Sequence, residues 1–206
     1  ARVRNGSCAI VYSTTGSVSV GNVWTGIVSS DWFDVQNWAG NQLPSSDCPY
    51  ITIPQVGASA HYPVVNSTPV AVNNIHIHNG ASLTVTNTSI SVSGTIQNQG
   101  TFDITTGTLE LDGSNAQHVD ANTFHNNTVQ HLLIGNSSVT GVQLNGPLSI
   151  TGSLNFTSQG EVLHTNGYLT LRSTAEETAW VGNTTGKTIL GEVTVERYIH
   201  TGTGAG

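Results

Sequence analysis

Three of the chain's four tryptophans, Trp24, Trp32 and Trp38, fall with Asp31 and Asp34 inside the stretch WTGIVSSDWFDVQNWAG. An exposed indole offers an apolar face for a sugar ring and an N–H at its edge. Trp24, Trp32, Trp38 and the isolated Trp180 are therefore candidate carbohydrate-binding residues. The competing reading is structural. Spacings of eight and six between the three indoles suit inward positions of successive short strands, where they would plug one end of a core. Asp31, Asp34 and Asn37 would then hold the tight turns by side-chain to backbone hydrogen bonds.

His76 and His78, two apart in NNIHIHNG, share one face of a strand. Two neighbouring imidazoles can hold zinc or copper if a third donor arrives. His118 and His125 in the downstream stretch 113–130, and His131 just after it, are possible donors. Asp112 and Asp120, with nearby asparagines, supply oxygens that suit a structural calcium. The alternative is an outward polar face that holds no metal.

The elements that would carry these groups follow from alternation. From about Asn74 onward, short runs with apolar residues two apart (IHI, LTV, ISV, TIQ, FDI, LEL, then LLI, VQL, LSI, SLNF, EVL, LTL) are separated by Gly, Asn or Ser. Each run predicts a strand with one apolar face. Taking every third run aligns Ile75 with Ile96, Leu83 with Phe102 and Ile90 with Leu109. Later, Leu132 aligns with Leu154, Val142 with Val162 and Leu148 with Leu169. The pattern predicts an all-β parallel β-helix, with coils of about 20 residues carrying three strands each. A β-sandwich is the alternative, but its strands need not keep a three-run register.

The expected domains are a Trp-rich N-terminal cap at 1–73, a β-helix at 74–200 and a Gly/Thr tail at 201–206. Within the helix, matches at offsets of 58 to 60 residues suggest a duplication of about 75–112 and 132–172. The open ends of such a helix would meet neighbouring domains of a longer chain or identical modules.

Composition narrows the function classes. Of 206 residues only 8% are charged, five are Lys or Arg, and the formal net charge is −7. Too few cations are present to neutralise a run of phosphates, so nucleic acid is not an expected partner. No apolar run is long enough to span a bilayer. Cys8 and Cys48 suit a disulfide in an oxidising, extracellular setting, with two buried thiols as the alternative.

Parallel β-helices include pectin lyases and polygalacturonases, so catalysis must be weighed. A lyase of that kind wants a basic side chain beside calcium-binding acids, yet Arg2, Arg4, Arg172, Lys187 and Arg197 all lie outside the middle coils. A hydrolase wants two carboxyls about 5 to 9.5 Å apart. Asp103 and Glu110 fall on different strands of the coil, with Asp112 and Asp120 beyond them. The reading is a non-catalytic chain.

The order W-T-G-x-V-S-S-D-W-F-D-x-x-N-W from Trp24, Pro44, I-T-I-P at Ile51, Y-P-V-V at Tyr62, G-A-S-L-T-V at Gly80 and G-E-V-T-V-E-R-Y-I at Gly191 resembles modules of large secreted surface proteins of Bacteroidota. The resemblance covers about residues 22 to 200. It implies an exported, cell-surface or released multidomain protein, often of the type IX secretion route, whose sorting domain this sequence lacks. The expected role is a structural or adhesive module: a stiff spacer, contact surface or fibre subunit. Glycan binding is the alternative, and no cofactor beyond a possible calcium is expected.

Overall fold

Ile51 and Ile53 in one strand, and Ile75 and Ile77 in the next, are each at most 1% exposed. A strand three or four residues long cannot bury its own apolar face, so it needs like strands above and below. In the computed structural model, which describes residues 10–12, 18–20, 22–44, 48 and 50–200, these strands stack in parallel. Asn22–Val23, Tyr50–Ile53, Asn74–Ile77 and Ile96–Asn98 form one sheet. Gln117–Val119, Val142–Leu144, Val162–His164 and Thr188–Leu190 form a second.

Ile10–Tyr12 and Val18–Val20 form a separate antiparallel pair, and the other runs make a nine-stranded sheet built on Ser82–Val92, Thr101–Leu111, Thr128–Ile134 and Leu148–Phe156. Each long strand is two runs joined at a corner. Val64–Val65 and Val70–Val72 pair separately with the two halves of Ser82–Val92, and Asn87 between them takes φ 55°. The result is a β-solenoid of about seven turns, with no α-helix among the described residues. Its core runs from Trp24 through Leu83, Phe102, Leu132 and Leu154 to Leu169 and Leu171.

The expected register holds at Ile75↔Ile96, Leu83↔Phe102, Ile90↔Leu109, Leu132↔Leu154 and Leu148↔Leu169. It slips at Val142, which faces Leu163 rather than Val162. Leu163 is the inward residue, fully buried, while Val162 is only half-buried. The strands of 50–72 are already in register with those that follow. Regular stacking therefore begins before the boundary expected at 73/74.

The 58 to 60 residue matches do not connect equivalent positions. Leu83 and Val85 lie in the nine-stranded sheet, whereas Val142 and Leu144 lie in the four-stranded one. Leu109 pairs with Ile90 in the second half of its strand, and its match Leu169 pairs with Leu148 in the first half of the next. Each match slides by one run. All inward positions ask for the same kind of residue, so runs laid on neighbouring runs still look alike.

The stretch 113–130 forms part of a coil of its own. It contains Gln117–Val119, and Phe124 packs on Phe102 with ring centroids 5.3 Å apart. The two four-stranded sheets are not joined by a ladder here. Side chains bridge instead: Gln117 Nε2 donates to the carbonyls of Val92 (2.7 Å) and Gly94 (2.9 Å), and Asn98 Nδ2 to that of Thr123 (2.8 Å).

Candidate functional site

Trp24, Trp32 and Trp38 are 1%, 2% and 1% exposed. Trp38 meets Trp24 edge-on at 5.0 Å and Trp32 at 4.7 Å. Their polar edges are satisfied inside the fold, with Trp24 Nε1 donating to the His61 carbonyl (2.7 Å) and Trp38 Nε1 to the Trp32 carbonyl (2.8 Å). None of the three offers a face to a sugar, which corrects their reading as binding residues. Their coil lies beneath 50–65, with Trp24 N–H bonded to Thr52 and Trp32 N–H to Val64. They close the apolar end of the core.

Asn37 holds this end together while fully buried. Its Oδ1 accepts from Val28 and Ser29 N–H, each at 3.0 Å, and its Nδ2 donates to Ser29 Oγ (3.0 Å) and the Asp31 carbonyl (2.9 Å). Asp31 and Asp34 bond the N–H groups two residues on, at Phe33 and Gln36. Gly26, at φ 58°, has no room for a Cβ between Trp24 Nε1 and the His61 carbonyl.

Cys48 is fully buried, its Sγ 3.6 Å from Asn22 Oδ1. Cys8 lies outside the described residues, and the expected pairing with it.

The imidazoles of His76 and His78 lie 4.3 Å apart, and burial and the neighbouring His78 lower the pKa of His76. A hollow of about 410 Å³ beside His76 is bordered by Asp120 but not by Asp112. Asp120 accepts from Asn145 Nδ2 at 2.9 Å, and His118 Nδ1 lies 3.5 Å from the same amide. Asp112 belongs to a different group. Burial raises the pKa of Asp112, and burial with the charges of Asp112 and Glu161 raises that of Glu110. Among the described residues, no three His, Cys, Asp or Glu side chains converge as a metal-binding group.

Glu161 had no place in the reading of the sequence. It is 2% exposed, and its Oε1 accepts from Thr157 Oγ1 (2.6 Å) and Ser158 N–H (2.9 Å). The one hint was a glutamate placed directly after the turn TSQG and one residue before a strand.

Outside the core, the corner of the long strands carries a second array that alternation alone did not reveal. Ser89, Thr108, His131, Ser153 and Trp180 face one another in consecutive coils. They point outward, because their neighbours Ile90, Leu109, Leu132 and Leu154 are at most 1% exposed. Ser153 Oγ lies 2.9 Å from His131 Nδ1 and accepts from Asn155 Nδ2 at 2.9 Å. That is the separation of a nucleophile from its base. The serine is only 4% exposed, however, so its neighbours shield it from a substrate.

Trp180 is 55% exposed, the opposite of the other three tryptophans. A polar hollow of about 630 Å³, bordered by Asn87, Thr108, Gln130 and His131, runs along the same corner. A second of about 720 Å³, bordered by Asp31 and Phe33, adjoins it at Ser67.

Neither the curated proteins nor the solved structures contain a match to this chain. A family model described as Domain of unknown function (DUF8693) matches residues 23–130, over half of the chain. The match takes in the tryptophan end and most of the corner hollows and stops short of Ser153 and Trp180. The chain belongs to this family, DUF8693, a domain of unknown function.

Proposed function

We propose that the chain is a non-catalytic extracellular module of a bacterial surface protein, a stiff spacer that also offers a contact surface. The observation that carries this reading is the unbroken apolar column of the core, closed at one end by three interlocked tryptophans. Parallel ladders link each coil to the next, so bending the rod means breaking backbone hydrogen bonds in several strands together. The resemblance to exported Bacteroidota proteins supports the location and the partnership with neighbouring domains or identical modules.

Three measurements test this. Small-angle scattering should give a rigid, elongated particle, and protease shaving of intact cells producing the full-length protein should release the module. Reducing-end assays on a polysaccharide panel should stay at background. Turnover of any of them, or protection of the module inside intact cells, overturns the proposal.

A further inference from the structure

We infer that the outward corner from Asn87 to Trp180 is a binding groove for an extended, neutral polysaccharide chain. The inference rests on the reading of the module as a surface contact element and names what it contacts. Three observations lead to that occupant.

The first is periodicity. Ser89, Thr108, His131, Ser153 and Trp180 repeat once per coil. Four steps of inter-strand spacing give a track of about 19 Å. A ligand that matches such a track must itself repeat at a similar length, as the sugar units of an extended glycan do.

The second is the lining. Asn87, Thr108 and Gln130 provide neutral donors and acceptors, and no lysine or arginine borders either hollow. A uronate or sulfated chain would find no counter-ion here and would meet a molecule of net charge −7. A neutral hydroxyl-rich chain has no such cost.

The third is Trp180. Its indole, 55% exposed, stands at the top of the polar column with Ser153 and His131 directly below it. Ser153 is shielded, so the exposed indole would take the apolar face of one pyranose, and the His131 imidazole with the hydroxyl and amide groups of the hollow would take hydroxyls further along the chain. The chain would stack one sugar on Trp180 and lay the rest along the polar track.

The test is isothermal calorimetry of the whole chain with neutral hexasaccharides of the cello-, xylo- and manno- series, with polygalacturonate as the charged control. Binding of at least one neutral series is expected, weakened about tenfold by Trp180→Ala, since an aromatic stacking contact is worth about 0.5–1.5 kcal/mol beyond the area it covers. Asn87→Gly, which keeps the φ of 55° at this corner while removing the amide, and Gln130→Ala should weaken it severalfold. His164→Ala, in a strand of the other face, should leave it unchanged. All four positions are outside the core, so folding is not at stake.

Neutral binding that ignores both Trp180 and Asn87 overturns the groove, as does binding of polygalacturonate alone. If no neutral glycan binds while the rod shape and surface exposure hold, this inference fails and the surface-module reading stands. Cleavage of a neutral glycan that depends on Trp180 keeps the groove and overturns the non-catalytic reading.

Discussion

The first and last described coils are built from the same kind of strand and end differently. In the first, Trp24, Trp32 and Trp38 interlock over the core, and Asn37, next in sequence to Trp38, bonds the backbone of Val28, Ser29 and Asp31. In the last, Thr188–Leu190 and Val193–Val195 each have a single strand partner. Leu190 and Val195, like Ile199 beyond them, are exposed. The Arg172–Glu196 ion pair at 3.0 Å is half-exposed and contributes little. Alternation makes a strand, and a neighbouring coil makes it buried. Ile104 and Val195 look alike in sequence and differ only in what lies above them.

Substitutions should therefore divide sharply between the two ends. Trp38→Ala, which removes the indole touching both others, should destabilise the fold by about 3–5 kcal/mol in urea unfolding. A cost near zero would break the comparison, because the plug would then be ornamental. Asn37→Ala should cost about 1–3 kcal/mol, since it leaves the Val28 and Ser29 N–H groups without their partner. At the other end, Val195→Thr should change stability by less than about 0.5 kcal/mol. A loss comparable to that of Asn37→Ala would show that this strand is covered in solution.

A smaller effect tests the acidic group between the ends. Burial, then the charges of Asp112 and Glu161, raise the pKa of Glu110 above its value in the unfolded chain. The folded state therefore holds that proton more tightly. Its contribution is full at low pH and is lost as the pH rises through the raised pKa. Glu110→Gln should raise the melting temperature at pH 7 and leave it nearly unchanged below the carboxylate range. An equal shift at both pH values would mean that the charge of Glu110 plays no part.

Much of the fold was legible because a solenoid repeats one local rule. Apolar residues two apart and turn residues between runs predicted strands that pair as expected at Ile75↔Ile96 and Leu132↔Leu154. The failures share a cause. Where Leu163 rather than Val162 faces Val142, two adjacent apolar residues could each serve as the inward one, and alternation cannot choose. The apparent duplication slid by one run because inward positions are chemically alike.

The proposed binding surface was harder to read. Ser89, Thr108, His131 and Ser153 are scattered in sequence and ordinary in type, and only the register of four coils places them in one row. For the tryptophans, the sequence showed the residue and not its environment. Trp38 and Trp180 are the same side chain, one packed between two indoles and the other facing solvent.

That contrast is the central claim, and acrylamide quenching of tryptophan fluorescence tests it most directly. Wild type should show one accessible fraction and one protected, blue-shifted fraction, and Trp180→Phe should abolish the accessible fraction and leave the other intact. An accessible fraction that survives in Trp180→Phe would contradict the account, because at least one tryptophan of the Trp24, Trp32 and Trp38 cluster would then face solvent.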